Sequence, residues 1–169
     1  ELIDPNKYTC VISPCSSQPY GDKYFRSWPI NNYIELIRYL LNRNDLQLIL
    51  TGGMSPTEKS YSEQLDISFN KRILNLMGKT SIREMAALIK HSDIIICDEI
   101  GPMELYSSDF CKSIETIVNS NKPFICSIQS KFKHPIINKI MNLSNSKTIN
   151  LTRENRNDIK KSLLIEIIN

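Results

Sequence analysis

Residues 94–107 read IIICDEIGPMELYS, and the fold turns on this stretch. Four apolar residues, Ile94 to Cys97, run into two adjacent acids, Asp98 and Glu99. An uninterrupted apolar run is the signature of a parallel strand buried on both faces, and functional side chains of such sheets sit at strand C-termini. In phosphate-cleaving proteins an acidic pair of this kind holds Mg²⁺ and orients a water. Asp98 and Glu99 are therefore candidate catalytic residues, with Asp98 as candidate metal ligand.

Working outward, similar apolar runs recur at 8–14 (YTCVISP), 46–53 (LQLILTGG), 73–78 (ILNLMG), 122–128 (KPFICSI) and 147–152 (KTINLT). Helical patterns separate them. Pro29 opens one, with Tyr33, Ile34, Ile37, Leu40 and Leu41 on one face. Residues 58–71 read as a weakly patterned helix. Ser81 and Glu84 form a capping-box signature ahead of an Ile82, Met85, Ala86, Ile89 stripe. Phe110, Ile114, Ile117 and Val118 mark the next helix, 134–143 a short one, and 154–168 a closing one. Alternation of this kind predicts an α/β three-layer sandwich with a mostly parallel sheet of about six strands, in one domain spanning 1–169. Right-handed crossovers then gather the loops at 13–28, 51–60, 78–81, 98–107 and 128–135 along one edge.

With 41% apolar and 23% charged residues, the chain has the composition of a packed domain rather than a disordered or fibrous one. A net charge of +3, spread along the sequence, gives no reason to expect nucleic acid as a partner. The five cysteines have no CxxC spacing and read as small core residues in a reducing compartment, which with the missing signal peptide predicts a cytoplasmic location. His91 and His134 are not at zinc-site spacing from them. No apolar run approaches the length of a membrane span. The chain opens on Glu1 rather than Met, so upstream sequence is expected.

The acidic pair calls for a phosphate-cradling loop. The nearest match to GxxxxGK[ST] is GMSPTEKS, 53–60. Glu58 stands at its second glycine position, where its charge repels an anion, and Pro56 removes an N–H donor. This stretch reads as a plain strand-to-helix loop. Gly52 and Gly53 permit a tight turn there, compatible with close approach of a ligand.

From Asp98 onward the chain resembles the THEP-type nucleoside-triphosphatase family, on DEIGPMEL (98–105), the helix start at Ser107 and Phe110, KPFICSI, His134-Pro135 and Glu154-Asn155-Arg156. The resemblance implies that Asp98 orients Mg²⁺ and Glu99 activates the attacking water. That family's phosphate loop has no counterpart here. From Tyr8 to Met103 the chain is similar to the nucleotide-binding C-terminal domain of glycosyltransferase family 9, the ADP-heptose:lipopolysaccharide heptosyltransferases. The matching features are the first strand with Ser16-Ser17, RSWP (26–29), LILTGG (48–53), GKTSIREMAALIKHSD (78–93) and Gly101-Pro102-Met103. This implies Ser16, Ser17 and Arg26 at a donor diphosphate, Glu58 at the nucleoside ribose, and Gly52, Gly53 and Gly101 lining the nucleotide site. The family's Asp-Thr/Ser-Gly-then-His tip is replaced by Glu99-Ile100-Gly101 and Glu104, which removes donors and adds negative charge.

The expectation is therefore a mosaic of Rossmann-like or P-loop-like type: 1–97 of glycosyltransferase character and 98–169 of nucleoside-triphosphatase character. Its expected partner is a nucleotide or nucleotide-sugar. Its expected activity is donor binding for glycosyl (heptosyl) transfer, needing an acceptor domain. The alternatives are Mg²⁺-dependent nucleoside-triphosphate hydrolysis by Asp98 and Glu99, and a non-catalytic scaffold.

Overall fold

In a computed structural model of the chain, the described residues are 3–14, 28–69, 73–129, 131–152, 154–155 and 158–159. Five strands, β1 (Tyr8–Ser13), β2 (Leu46–Leu50), β3 (Ile73–Asn75), β4 (Ile94–Ile100) and β5 (Phe124–Ile128), form one sheet in the order β3-β2-β1-β4-β5. Every pairing is parallel. The predicted α/β architecture is therefore present, and its strand order is the Rossmann one. The sixth predicted strand, 147–152, joins no ladder among the described residues, although its composition is β-rich.

The pleat sends alternate residues to two cores. On one face Cys10, Ile12, Leu48 and Leu50 meet α1 (Ile30–Leu40) through Tyr33, Leu36, Ile37 and Leu40, and α2 (Pro56–Ser68) through Leu65. On the other, Val11, Ile49 and Ile95 meet α3 (Ile82–His91), α5 (Ser108–Val118) and α6 (Pro135–Met141), with Phe110 and Ile137 among the fully enclosed side chains. A short α4 (Pro102–Leu105) lies between β4 and α5. Three layers follow because each strand is apolar on both sides and must be covered twice.

Trp28 has the packing role its position before the first helix suggests: its ring meets Tyr33 edge-on at 5.0 Å, and its carbonyl accepts from the Tyr61 hydroxyl at 2.8 Å. Pro29 is the residue before the first turn of α1, and Ser81 with Glu84 caps α3 reciprocally. Of the closing helix predicted over 154–168, Glu154 and Asn155 form a turn and Asp158 and Ile159 are helical among the described residues.

Candidate functional site at the C-terminal edge of the sheet

The strand order reverses between β1 and β4: from β1 the chain winds to β2 and β3 on one side, then returns to β4 on the other. Open α/β sheets bind ligands in the crevice at this switch point, outside the strand C-termini. Here that point lies between the C-terminal ends of β1 and β4, which are adjacent because Ser13 pairs with Cys97. Ser16, Ser17 and Arg26 belong to the segment after β1 and lie outside the described residues.

At the β4 tip the strand runs through Ile100. Asp98 and Glu99 are thus within the strand, where its ladder with β5 is irregular between Cys97 and Ile100. The Cys97 thiol donates to the Glu99 carbonyl at 3.2 Å. Glu99 is half-buried, Gly101 is buried, and the side chains of Asp98 and Glu104 lie outside the described set. Among the described residues no three His, Cys, Asp or Glu side chains come together to hold a metal. A Mg²⁺ ion can use one or two carboxylates when phosphate oxygens and waters complete its shell. The described residues do not by themselves build a resident metal site, and no chemical step is assigned to one.

The loop after β2 has a different character. Glu58 is 4% exposed, and its two carboxylate oxygens accept from the backbone N–H groups of Gly53 at 2.7 Å and Ser55 at 2.9 Å. The Ser55 hydroxyl accepts in return from Glu58 N–H, completing a capping box on α2. Gly53 lies so close over this carboxylate that a Cβ there would stand 2.8 Å from Glu58 Oε2. The N–H donors that would cradle a phosphate are taken up by the chain's own carboxylate. The S-x-x-E pattern of Ser55 and Glu58 is the signal for this cap, equivalent to that of Ser81 and Glu84.

Gly52, Gly53 and Glu58 are thereby brought together at the end of β2, and Asp98, Glu99 and Gly101 at the end of β4, with β1 between them. Two strand spacings, about 10 Å, separate β2 from β4. The loop after β2 is tied to the one after β3 by Gly78 N–H donating to the Gly52 carbonyl at 2.8 Å. Gly78 has φ +69° and supports the Met54 side chain, which remains 57% exposed. Thr51, at the end of β2, is fully buried, and its hydroxyl finds no hydrogen-bond partner among the described residues. His134 serves as the cap of α6, its Nδ1 accepting from Ile136 N–H at 3.3 Å, with its ring stacked on Phe132.

Two family models match the chain. One, described as NTPase, matches residues 57–164, and the other, glycosyltransferase family 9 (heptosyltransferase), matches residues 2–106. The nucleoside-triphosphatase THEP1 of Thermotoga petrophila is 28% identical over 138 residues, 78% of this chain and 74% of that protein. The lipopolysaccharide core heptosyltransferase OpsX of Haemophilus influenzae is 25% identical over 105 residues, 62% of this chain and 28% of that protein. Among solved structures, the family 9 glycosyl transferase of Veillonella parvula superposes with TM-score 0.52 at 12% identity, over 97% of this chain and 48% of the other, a likeness of fold. The chain spans about half the length of most nucleoside-triphosphatase relatives it matches. No helix among the described residues is long and apolar enough to cross a membrane. The two family matches share residues 57–106, a span that contains all of β4, and on their extent the chain belongs both to the NTPase family and to glycosyltransferase family 9.

Proposed function

We propose that the chain is a nucleotide-binding domain of glycosyltransferase lineage. It holds the nucleoside diphosphate of an ADP-sugar-type donor at the β1/β4 crevice, and a further domain supplies the acceptor for glycosyl (heptosyl) transfer. The observation that carries this reading is the strand order: its reversal falls between the two strands that lead into Ser16, Ser17 and Arg26 on one side and Gly101 on the other. In this reading Arg26 and the serine hydroxyls neutralise and hydrogen-bond the diphosphate. Glu58, already capping α2, holds the loop that faces the ribose. The 1–97 and 98–169 halves then act as one sheet, with β4 as the strand both families share.

Thermal denaturation with ADP and an ADP-sugar, in the absence of Mg²⁺, tests this. A ligand at a hundred times its dissociation constant stabilises by about 2.7 kcal/mol, so a clear rise in Tm is expected. Arg26→Ala should abolish the rise and leave the Tm of the free protein unchanged. Absence of any shift at millimolar ligand would sink the donor-binding reading.

A second reading rests on the NTPase match, which includes Asp98 and Glu99. Here Glu99 takes a proton from the water that attacks a terminal phosphate. The loop occupied by Glu58 weighs against it, because nothing else among the described residues forms a phosphate loop of that kind. Phosphate release from Mg·ATP by the parent and by Glu99→Gln separates the two: equal background rates eliminate hydrolysis.

A further inference from the structure

Cys97 on β4 and Cys126 on β5 are direct partners in the parallel ladder. Their side chains leave the sheet on the same face, both packed against the second core cluster, and neither is in a disulfide. Neighbouring strands lie about 4.8 Å apart, inside the roughly 4.4–6.8 Å Cα separation that a disulfide spans. Of the other described cysteines, Cys10 belongs to the opposite face, and Cys111 is on α5, donating to the Leu105 carbonyl at 3.2 Å.

We propose that Cys97 and Cys126 are a redox-reactive dithiol that closes into a disulfide between β4 and β5 directly before the acidic tip. The oxidant is a small-molecule disulfide. The Cys97 thiolate attacks one of its sulfurs and expels the first thiolate, giving a mixed disulfide on Cys97. The Cys126 thiolate then attacks the Cys97 sulfur and expels the second. Two protein thiols are oxidised, the small disulfide is reduced to two thiols, and the two protons pass to them.

Three features shape this chemistry. In-register positions on parallel strands hold their Cβ atoms about one strand spacing apart, wider than the average of roughly 3.8 Å in disulfides, so the bridge forms under strain and is readily reduced. The ladder irregularity between Cys97 and Ile100 is where β4 can yield to admit it. Burial pushes the Cys126 thiol up to about 12, so its thiolate is scarce and its attack on the mixed disulfide is slow. Closure also removes the proton that Cys97 donates to the Glu99 carbonyl, so the oxidation state of the pair is felt by the backbone of the acidic tip.

The test uses the full chain equilibrated with oxidised and reduced glutathione at graded ratios, quenched in acid, alkylated and mapped without reduction. The same chain in guanidinium serves as control. Two of the five thiols should be lost, with the Cys97 and Cys126 peptides joined and released by dithiothreitol. Cys126→Ser should stop at a glutathione adduct on Cys97. Five alkylatable thiols in the folded chain, at ratios that oxidise the unfolded control, would overturn the proposal. A link from Cys97 to Cys15 or Cys111 would do the same. The parent's peptide map decides the matter even if a serine variant fails to fold.

Discussion

Glu58 shows how one side chain can settle the character of a loop. A carboxylate that accepts two backbone N–H bonds in a buried site cannot be removed without stranding both donors. Glu58→Ala should cost about 1–3 kcal/mol, read as a lower urea midpoint with unchanged slope. Wild-type stability in that variant would show that water replaces the carboxylate freely. Thr51 is the opposite case. Its hydroxyl is buried without a partner among the described residues, so the desolvation cost is incurred without a compensating bond. Thr51→Val keeps the shape and removes that cost, and should leave Tm unchanged or raise it. A loss of more than about 1 kcal/mol would mean that the hydroxyl is bonded in solution.

At the scale of elements, the two capped helices invite separate tests. The Ser81 N–H, and after it the Ser81 hydroxyl, hold the Glu84 carboxyl below its ordinary value of 4.5. A folded pKa below the unfolded one means stabilisation that is complete above pH 4.5 and lost as pH falls through the folded value. Amide exchange at the start of α3 should therefore accelerate in that acidic window in the parent. In Glu84→Gln it should be flat with pH across the same window. Gly78 binds the two loops differently. A Cβ there would stand 1.9 Å from the Met54 Cγ, in a backbone conformation that side chains rarely adopt. Gly78→Ala should destabilise by about 1–2 kcal/mol, and Met54→Ala should recover only the steric part, leaving the backbone part.

These elements also mark what could be read in advance. The five laddered strands were legible because strands buried on both faces are written as unbroken apolar runs. The Ser81–Glu84 cap was legible because it stands before a clean helical stripe. The same pattern at Ser55 and Glu58 precedes the weakly patterned α2, so its glycines drew attention toward phosphate and ribose instead. Residues 147–152 have strand composition but no partner among the described residues, and β propensity without a neighbour does not make a ladder. Asp98 and Glu99 were legible as a strand tip, whereas the ladder irregularity around them depends on pairing with β5, which no local pattern encodes.

For the whole molecule, the pairing of β1 with β4 has a kinetic consequence. Thr9 N–H donates to Asp93 Oδ2 at 2.9 Å across a separation of 84 residues. The central pair of the sheet can therefore close only after a long stretch of chain has been synthesised and gathered. Until β4 arrives, one edge of β1 is an open template for any other strand. A fragment ending before Ile94 should therefore self-associate, with light scattering rising steeply with concentration, where the full chain stays clear. A monomeric, cooperatively melting fragment would contradict this. The strand that covers the open edge of the first is thus made more than eighty residues later, within the span that both family signatures share.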